Sequence, residues 1–365
     1  MFDIPPVSLT FSPAPLRELM EELTEDELLA VADVHLDACR NVSMEEIRDG
    51  ADDAFYSREA NQYFDVVSGY EIPQMEAFVA AMENRPVTVD FHVAEALRRQ
   101  MPTRVAEEDD DRWHMEVPAE LQAAWKQYFG HETFVQTARR FDEVIPHADA
   151  AAHLYGAIGF KDFLAMVRRR TGFFCRNRYE TDWLAFRLTN RCRMAYVNDD
   201  ILYHRALIAP EDNAPREGDA TDDVLAPRAA FELLKSTEGK PRFAPPMESF
   251  LDWADPNWYE DNPAIRRFED WLGDTFEEEF LASTLIHQTL DMIRMGARLP
   301  DVLRQFEDDD IEVDDELRGI LQGVCDNTRL WLNKGHTASE SLARISGKLA
   351  NFSLGFRKKA DEDEP

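Results

Sequence analysis

A mainly α-helical, multi-domain protein is what this sequence predicts, and three observations predict it. Apolar residues recur at helical spacing over most of the chain, strict β-type alternation is scarce, and 365 residues are enough for two or three domains. The expected architecture is a tandem of small winged-helix-like modules with β-hairpins, followed by a C-terminal helical domain. By number, the divisions are an N-terminal helical unit (1–60), a first winged-helix-like module with a linking helix (61–149), a second, basic one (150–212), a linker (213–227) and the C-terminal helical domain (228–365).

Met1 to Pro15 is Pro-rich and is expected to lie extended along the surface. Leu16, Leu19, Met20 and Leu23 form one helical stripe, and Leu28, Leu29, Ala32 and Leu36 form the next. Thr24 followed by Glu27 is a capping box, and Ser43 followed by Glu46 repeats it. In the first module, Met75, Phe78, Val79 and Met82 mark one helix, and Val93, Ala94, Leu97 and Met101 a second. Thr103 to Val105 and Trp113 to Val117 then flank the loop Glu107 to Asp111. Leu121 to Phe141 reads as a linking helix interrupted near Gly130.

Ala150 to Tyr155 is a short helix stopped by Gly156, and Phe160, Phe163, Leu164 and Val167 make the next, closed by Thr171-Gly172. Thr181 is the expected N-cap of a third helix, Asp182 to Met194. Ala195 to Val197 and Ile201 to Tyr203 are strand-like runs around Asn198-Asp199-Asp200, which suits a hairpin loop. Helix, helix, helix, hairpin is the order of a winged helix, in which the third helix often enters a DNA groove. The endings Trp113-His114 to Pro118 and Tyr203-His204 to Pro210 form a weak internal repeat. Beyond the Pro-, Gly- and Asp-rich linker, Pro263 opens a helix, and helical periodicity runs to Arg298 with a break near Gly273. Glu307 to Glu316 is an acidic connector, and Leu317 to Trp331 is the last strong helix.

The formal net charge of -32, from 40 Lys and Arg against 72 Asp and Glu, disfavours nucleic acid and anionic membranes unless the cations are gathered in one place. From Lys161 to Arg193 nine basic residues stand against three acidic ones, so that segment carries +6. With Leu184, Leu188 and Cys192 assigned inward, Arg187, Asn190 and Arg191 share an outward face, aided by Arg168, Arg169 and Arg170. These six are the candidate binding residues, for nucleic acid or as partners of acids in neighbouring modules. The N-terminus MFDIPPVSLTF has neither the basic start nor the apolar run of a secretory leader, and no segment approaches a membrane span. Four scattered cysteines give no Cys-x-x-Cys pair, so no disulfide framework, zinc site or other cofactor is expected. Cytoplasm is the expected compartment.

His114 and His204, at equivalent module ends, read as packed strand-end histidines. The run Glu307 to Glu312 lacks the Gly and Glu positions of an EF-hand loop. No G-x-S-x-G elbow or Walker loop occurs. Trp253, Trp258, Tyr259 and Trp271 read as core.

Several phrases carry a resemblance: Leu154-Tyr155-Gly156-Ala157-Ile158, Phe250 to Asp255, Trp258-Tyr259, Asn327 to Trp331, and Gly335-His336-Thr337. In that order they resemble a bacterial family of largely uncharacterised cytoplasmic proteins, many of which end in a SEC-C zinc motif. Leu23 to Ile47 is similar to the Rho N-terminal helix pair, which carries Lys where this chain carries acids, so nucleic-acid binding is not carried over. No Cys-x-Cys is present, so zinc binding is not carried over either. The resemblance implies no activity. The expected function is therefore a non-catalytic, multi-module adaptor or regulator that binds a protein partner. A nucleic-acid-binding regulator acting through the basic module and an acidic nucleic-acid mimic are the alternatives.

Overall fold

The computed structural model describes residues 6–24 and 67–344, except 68, 102, 110, 129–130, 209–226 and 277. The two capping boxes, the Rho N-terminal-like pair and most of the expected linker lie outside the described residues. Helix at 62% against strand at 14% makes the protein mainly helical.

Strand β1 (Val7–Ala14) leads into α1 (Leu16–Glu22). Next come α2 (Ile72–Met82), β2 (Val87–Val89), α3 (Phe91–Gln100), β3 (Arg104–Asp109) and β4 (Arg112–Pro118). The expected β3–β4 hairpin is present, but it belongs to a four-stranded sheet of order β2-β1-β4-β3 rather than to a two-stranded wing. β1 runs parallel to β4, with Leu9 opposite Trp113 and Phe11 opposite Met115. The N-terminal segment is thus a sheet strand and not a surface strap. Val7, Leu9 and Phe11 are buried at alternate positions, a period-two pattern that the surrounding prolines obscure.

The expected linking helix with its break near Gly130 is two helices, α4 (Ala119–Tyr128) and α5 (His131–Asp142). After α6 (Ile145–Tyr155) come β5 (Ala157–Gly159), α7 (Phe160–Thr171), α8 (Arg178–Arg191), β6 (Ala195–Asn198) and β7 (Ile201–His204). Asp199 and Asp200 both hold positive φ, 49° and 61°, as a two-residue type I′ hairpin turn requires. β5 adds to β7, giving a three-stranded sheet of order β5-β7-β6. Buried Asp149 on α6 fixes where that hairpin begins. Its Oδ1 accepts the N–H groups of Met194 and Ala195 at 2.8 and 2.9 Å, and its Oδ2 that of Arg193 at 3.1 Å.

Helices α9 (Arg228–Ser236), α10 (Met247–Asp252), α11 (Pro263–Thr275), α12 (Glu279–Met295), α13 (Leu299–Asp308) and α14 (Asp315–Asn327) follow. Asn262 caps α11, its side chain accepting the N–H groups of Ala264 and Ile265. Phe268, Leu290, Val302, Phe306 and Leu321, from four helices, form one apolar cluster. Each such side chain contributes roughly 1.5–3 kcal/mol on burial. The helix expected over Leu317 to Trp331 stops at Asn327. The chain then forms β8 (Arg329–Leu330), a 3-10 turn (Trp331–Asn333) and β9 (His336–Thr337).

The described residues divide into two compact units. One comprises those up to 145 together with 175–191. The other comprises those in 146–174, in 192–208 and from 227 onward. The expected module 150–212 is therefore not a single body, because its third helix, α8, belongs to the first unit. Trp183 of α8 explains the assignment. It stacks on Phe134 at 5.2 Å and meets Phe141 edge-on at 5.1 Å, and Phe134 in turn meets Trp125 at 5.4 Å.

Candidate functional site

In the first unit, the predicted basic face is rotated from its expected position. Trp183, Leu184, Arg187 and Leu188 are all buried, so Arg187 lies on the inward stripe of α8. Its side chain is 0% exposed. Nε and Nη2 donate to the two carboxylate oxygens of Asp142 at 2.6 and 2.8 Å, and Nη1 donates to the Tyr70 carbonyl at 2.9 Å. Arg191 pairs with Glu71 at 2.8 Å, and the exposed Asn190 side chain donates back to the Phe186 carbonyl. The outward face of α8 carries Tyr179 (54% exposed) and Phe186 (37%) instead.

Arg168 and Arg169 are exposed on α7 in the second unit. Arg170 there lies 4.3 Å over the Phe250 ring and donates to the Pro245 carbonyl. The six predicted residues thus divide between two bodies. His114 is gripped by the sheet, with the Thr10 and Ser12 hydroxyls each 2.9 Å from one of its ring nitrogens.

The first unit also has an open groove of about 390 Å³ between α2, β2 and α5. Its lining combines the apolar Val79, Ala80, Val87 and Val135 with the polar Glu76, Arg85, Gln136 and Arg139. Two ion pairs, Arg139–Glu76 and Arg85–Glu83, engage its charged residues. β2, whose Val87 lines the groove, stands at the end of the four-strand order among the described residues. No local pattern signals this groove, because α2 and α5 lie far apart in the chain.

In the second unit, the short phrases that carried the family resemblance converge in space. The Trp331 indole N–H donates to the His153 carbonyl at 2.9 Å, and the ring covers Gly156 so closely that a Cβ there would lie 2.4 Å from it. Gly156 has φ +72°, so a side chain would meet backbone strain as well as the ring. His153 Nδ1 donates to the Trp253 carbonyl at 3.0 Å, which leaves Nε2 as the unprotonated nitrogen of its neutral ring. His204 takes the opposite tautomer, since its Nδ1 accepts the Ala206 N–H at 3.1 Å. Arg329 donates to Glu260 at 2.8 Å and to the Gly335 carbonyl at 3.0 Å, its guanidinium lying 3.5 Å from the Phe243 ring centre.

Burial, with Arg294 adding to it, pushes the His153 pKa down to about 3. Burial takes His204 down to about 4 against the opposing pull of Asp291. Both rings are neutral near pH 7 and far from the pKa that general acid–base work needs. A cavity of about 10 Å³ in this unit is lined by Trp253, Glu260, Asn262, Arg294, Thr328 and Arg329 among others, and by neither histidine. That is room for about one water and not for a substrate. Among the described residues no group of three or more His, Cys, Asp or Glu is arranged to hold a metal ion, and no helix is long and apolar enough to cross a membrane. No family model, curated protein or solved structure matches this chain.

Proposed function

We propose that the protein is a non-catalytic adaptor or regulator that binds a partner protein through the groove of the first unit. The observation that carries this reading is the groove itself: concave, lined in part by aliphatic side chains, with the terminal strand β2 in its wall and its charged residues already paired. Such a surface suits an extended peptide that adds along the edge and drops an aliphatic side chain into the groove. The aromatic rings that α8 presents to solvent support the same class of role. The pairing of Arg187 with Asp142 and of Arg191 with Glu71, all within the first unit, favours a structural role for these arginines over a nucleic-acid face. Val135→Asp places a charge in the groove and tests the reading. Affinity capture from nuclease-treated lysate should recover a partner with the wild-type chain, and the variant, at unchanged melting temperature, should lose it. Capture that disappears on nuclease treatment, or that the variant retains, would overturn it.

A further inference from the structure

The loop after α9 and the turn after Trp331 are stitched together in the second unit. Lys240 Nζ donates to the Leu332 carbonyl at 2.7 Å, and the Phe243 N–H donates to the Lys334 carbonyl at 2.9 Å. Three cations, Lys240, Arg242 and Lys334, are thereby brought to one place in a chain with 72 acids and 40 Lys and Arg. In such a chain each cation is expected to collect carboxylates. Here Arg242 lies over the Tyr155 ring at 5.3 Å and reaches Asp162 at 3.6 Å, beyond hydrogen-bond length. Neither lysine forms an ion pair among the described residues. Lys334 also holds the left-handed conformation, φ 50° and ψ 46°, which Gly or Asn adopts with less strain. Its ammonium pKa is lowered, first by burial and next by Arg242, with Lys240 adding and Asp162 and Glu238 opposing. A cation held in a strained conformation beside two further cations, and without an ion pair of its own among the described residues, motivates a binding hypothesis.

We propose that Lys240, Arg242 and Lys334 form a binding site for a phosphate monoester. Two ammonium groups and a guanidinium supply charge-assisted donors of the kind that the oxygens of a dianion accept. A single phosphate needs only this small cationic spot, whereas a nucleic-acid backbone would lay further phosphates against a surface of net negative charge. A small phosphorylated metabolite and a phosphorylated side chain offer the same group. The site is independent of the groove in the first unit.

The test is calorimetric titration of the intact chain at low salt with inorganic phosphate, with a phosphoserine peptide and its unphosphorylated form, and with duplex DNA. Inorganic phosphate should bind, more weakly as salt rises, and Lys334→Gly should weaken it about tenfold or more while keeping the turn. Lys240→Gln, which removes a second cation away from the strained position, should do the same, and Arg169→Gln should not. A phosphopeptide that binds at least about tenfold tighter than both phosphate and its unphosphorylated form identifies a phosphorylated protein as the source. Equal affinity for phosphate and phosphopeptide points to a small ester. Absence of salt-dependent phosphate binding by the wild type, or unchanged affinity in both lysine variants, would refute the site. Duplex binding that both variants lose, with no phosphate binding, would reassign it to nucleic acid.

Discussion

Arg187 has no exposed surface, and its guanidinium is held by both oxygens of Asp142 and by the Tyr70 carbonyl. Removing one member of a buried pair leaves the other uncompensated, which costs about 3–5 kcal/mol. Because Asp142 keeps some contact with solvent, Arg187→Ala is expected at the lower end, about 3 kcal/mol, in urea unfolding followed by tryptophan fluorescence. Arg168→Ala and Arg169→Ala, both exposed, are expected to change stability by less than about 0.5 kcal/mol. A small loss for Arg187→Ala would mean that the pair holds nothing together. The placement of Arg187 was legible in part. Leu184, Arg187 and Leu188 stand at i, i+3 and i+4, so the spacing put Arg187 on the apolar stripe. Its equal spacing with Asn190 and Arg191 argued for an outward face, and the acid that reverses that argument, Asp142, lies 45 residues earlier and gives no local signal.

The β6–β7 hairpin shows what local sequence determines and what it leaves open. Asn198-Asp199-Asp200 between apolar runs suits a hairpin loop, and a hairpin is present there, its turn holding positive φ at both aspartates. Nothing nearby specifies Asp149, which accepts three backbone N–H groups at the mouth of the hairpin from a helix 44 to 46 residues earlier. Asp149→Ala leaves those donors buried without a partner, at about 1–3 kcal/mol for each one that water cannot reach. The expected outcome is a melting temperature lowered by several degrees and faster hydrogen exchange at Met194 and Ala195. Protection equal to wild type at those two amides would show that the carboxylate is dispensable. β1 is the opposite case. Its alternation of Val7, Leu9 and Phe11 is hidden among prolines, its parallel partner β4 begins about a hundred residues later, and no local rule supplies that pairing.

For the whole molecule, the convergence of Trp331, His153 and Trp253 makes stability depend on pH. The folded pKa values of His153 and His204, about 3 and about 4, lie below the ordinary value of about 6.5. As pH falls below 6.5 the unfolded chain takes up protons first, so stability is greatest above that pH and declines toward pH 4. The slope approaches about 1.4 kcal/mol per pH unit for each imidazole. Urea unfolding between pH 7 and 4.5 should show this decline, and His204→Asn should flatten part of it. A wild-type stability that stays level over this interval would dispose of the argument. Sequence placed the phrases around these residues in order without revealing that they meet, since Trp331 bonds a carbonyl 178 positions earlier. The path of the chain has a further consequence for biogenesis. Residues 175–191 complete the first unit, yet the chain commits to the second unit from 146 onward before returning to supply them. On the ribosome, the first body must therefore wait, with the seats of Trp183 and Arg187 empty, until residue 191 has left the exit tunnel. Cutting the coding sequence at one point near 145 would produce a fragment lacking its anchor, so this unit is better expressed as a spliced chain or within the intact protein.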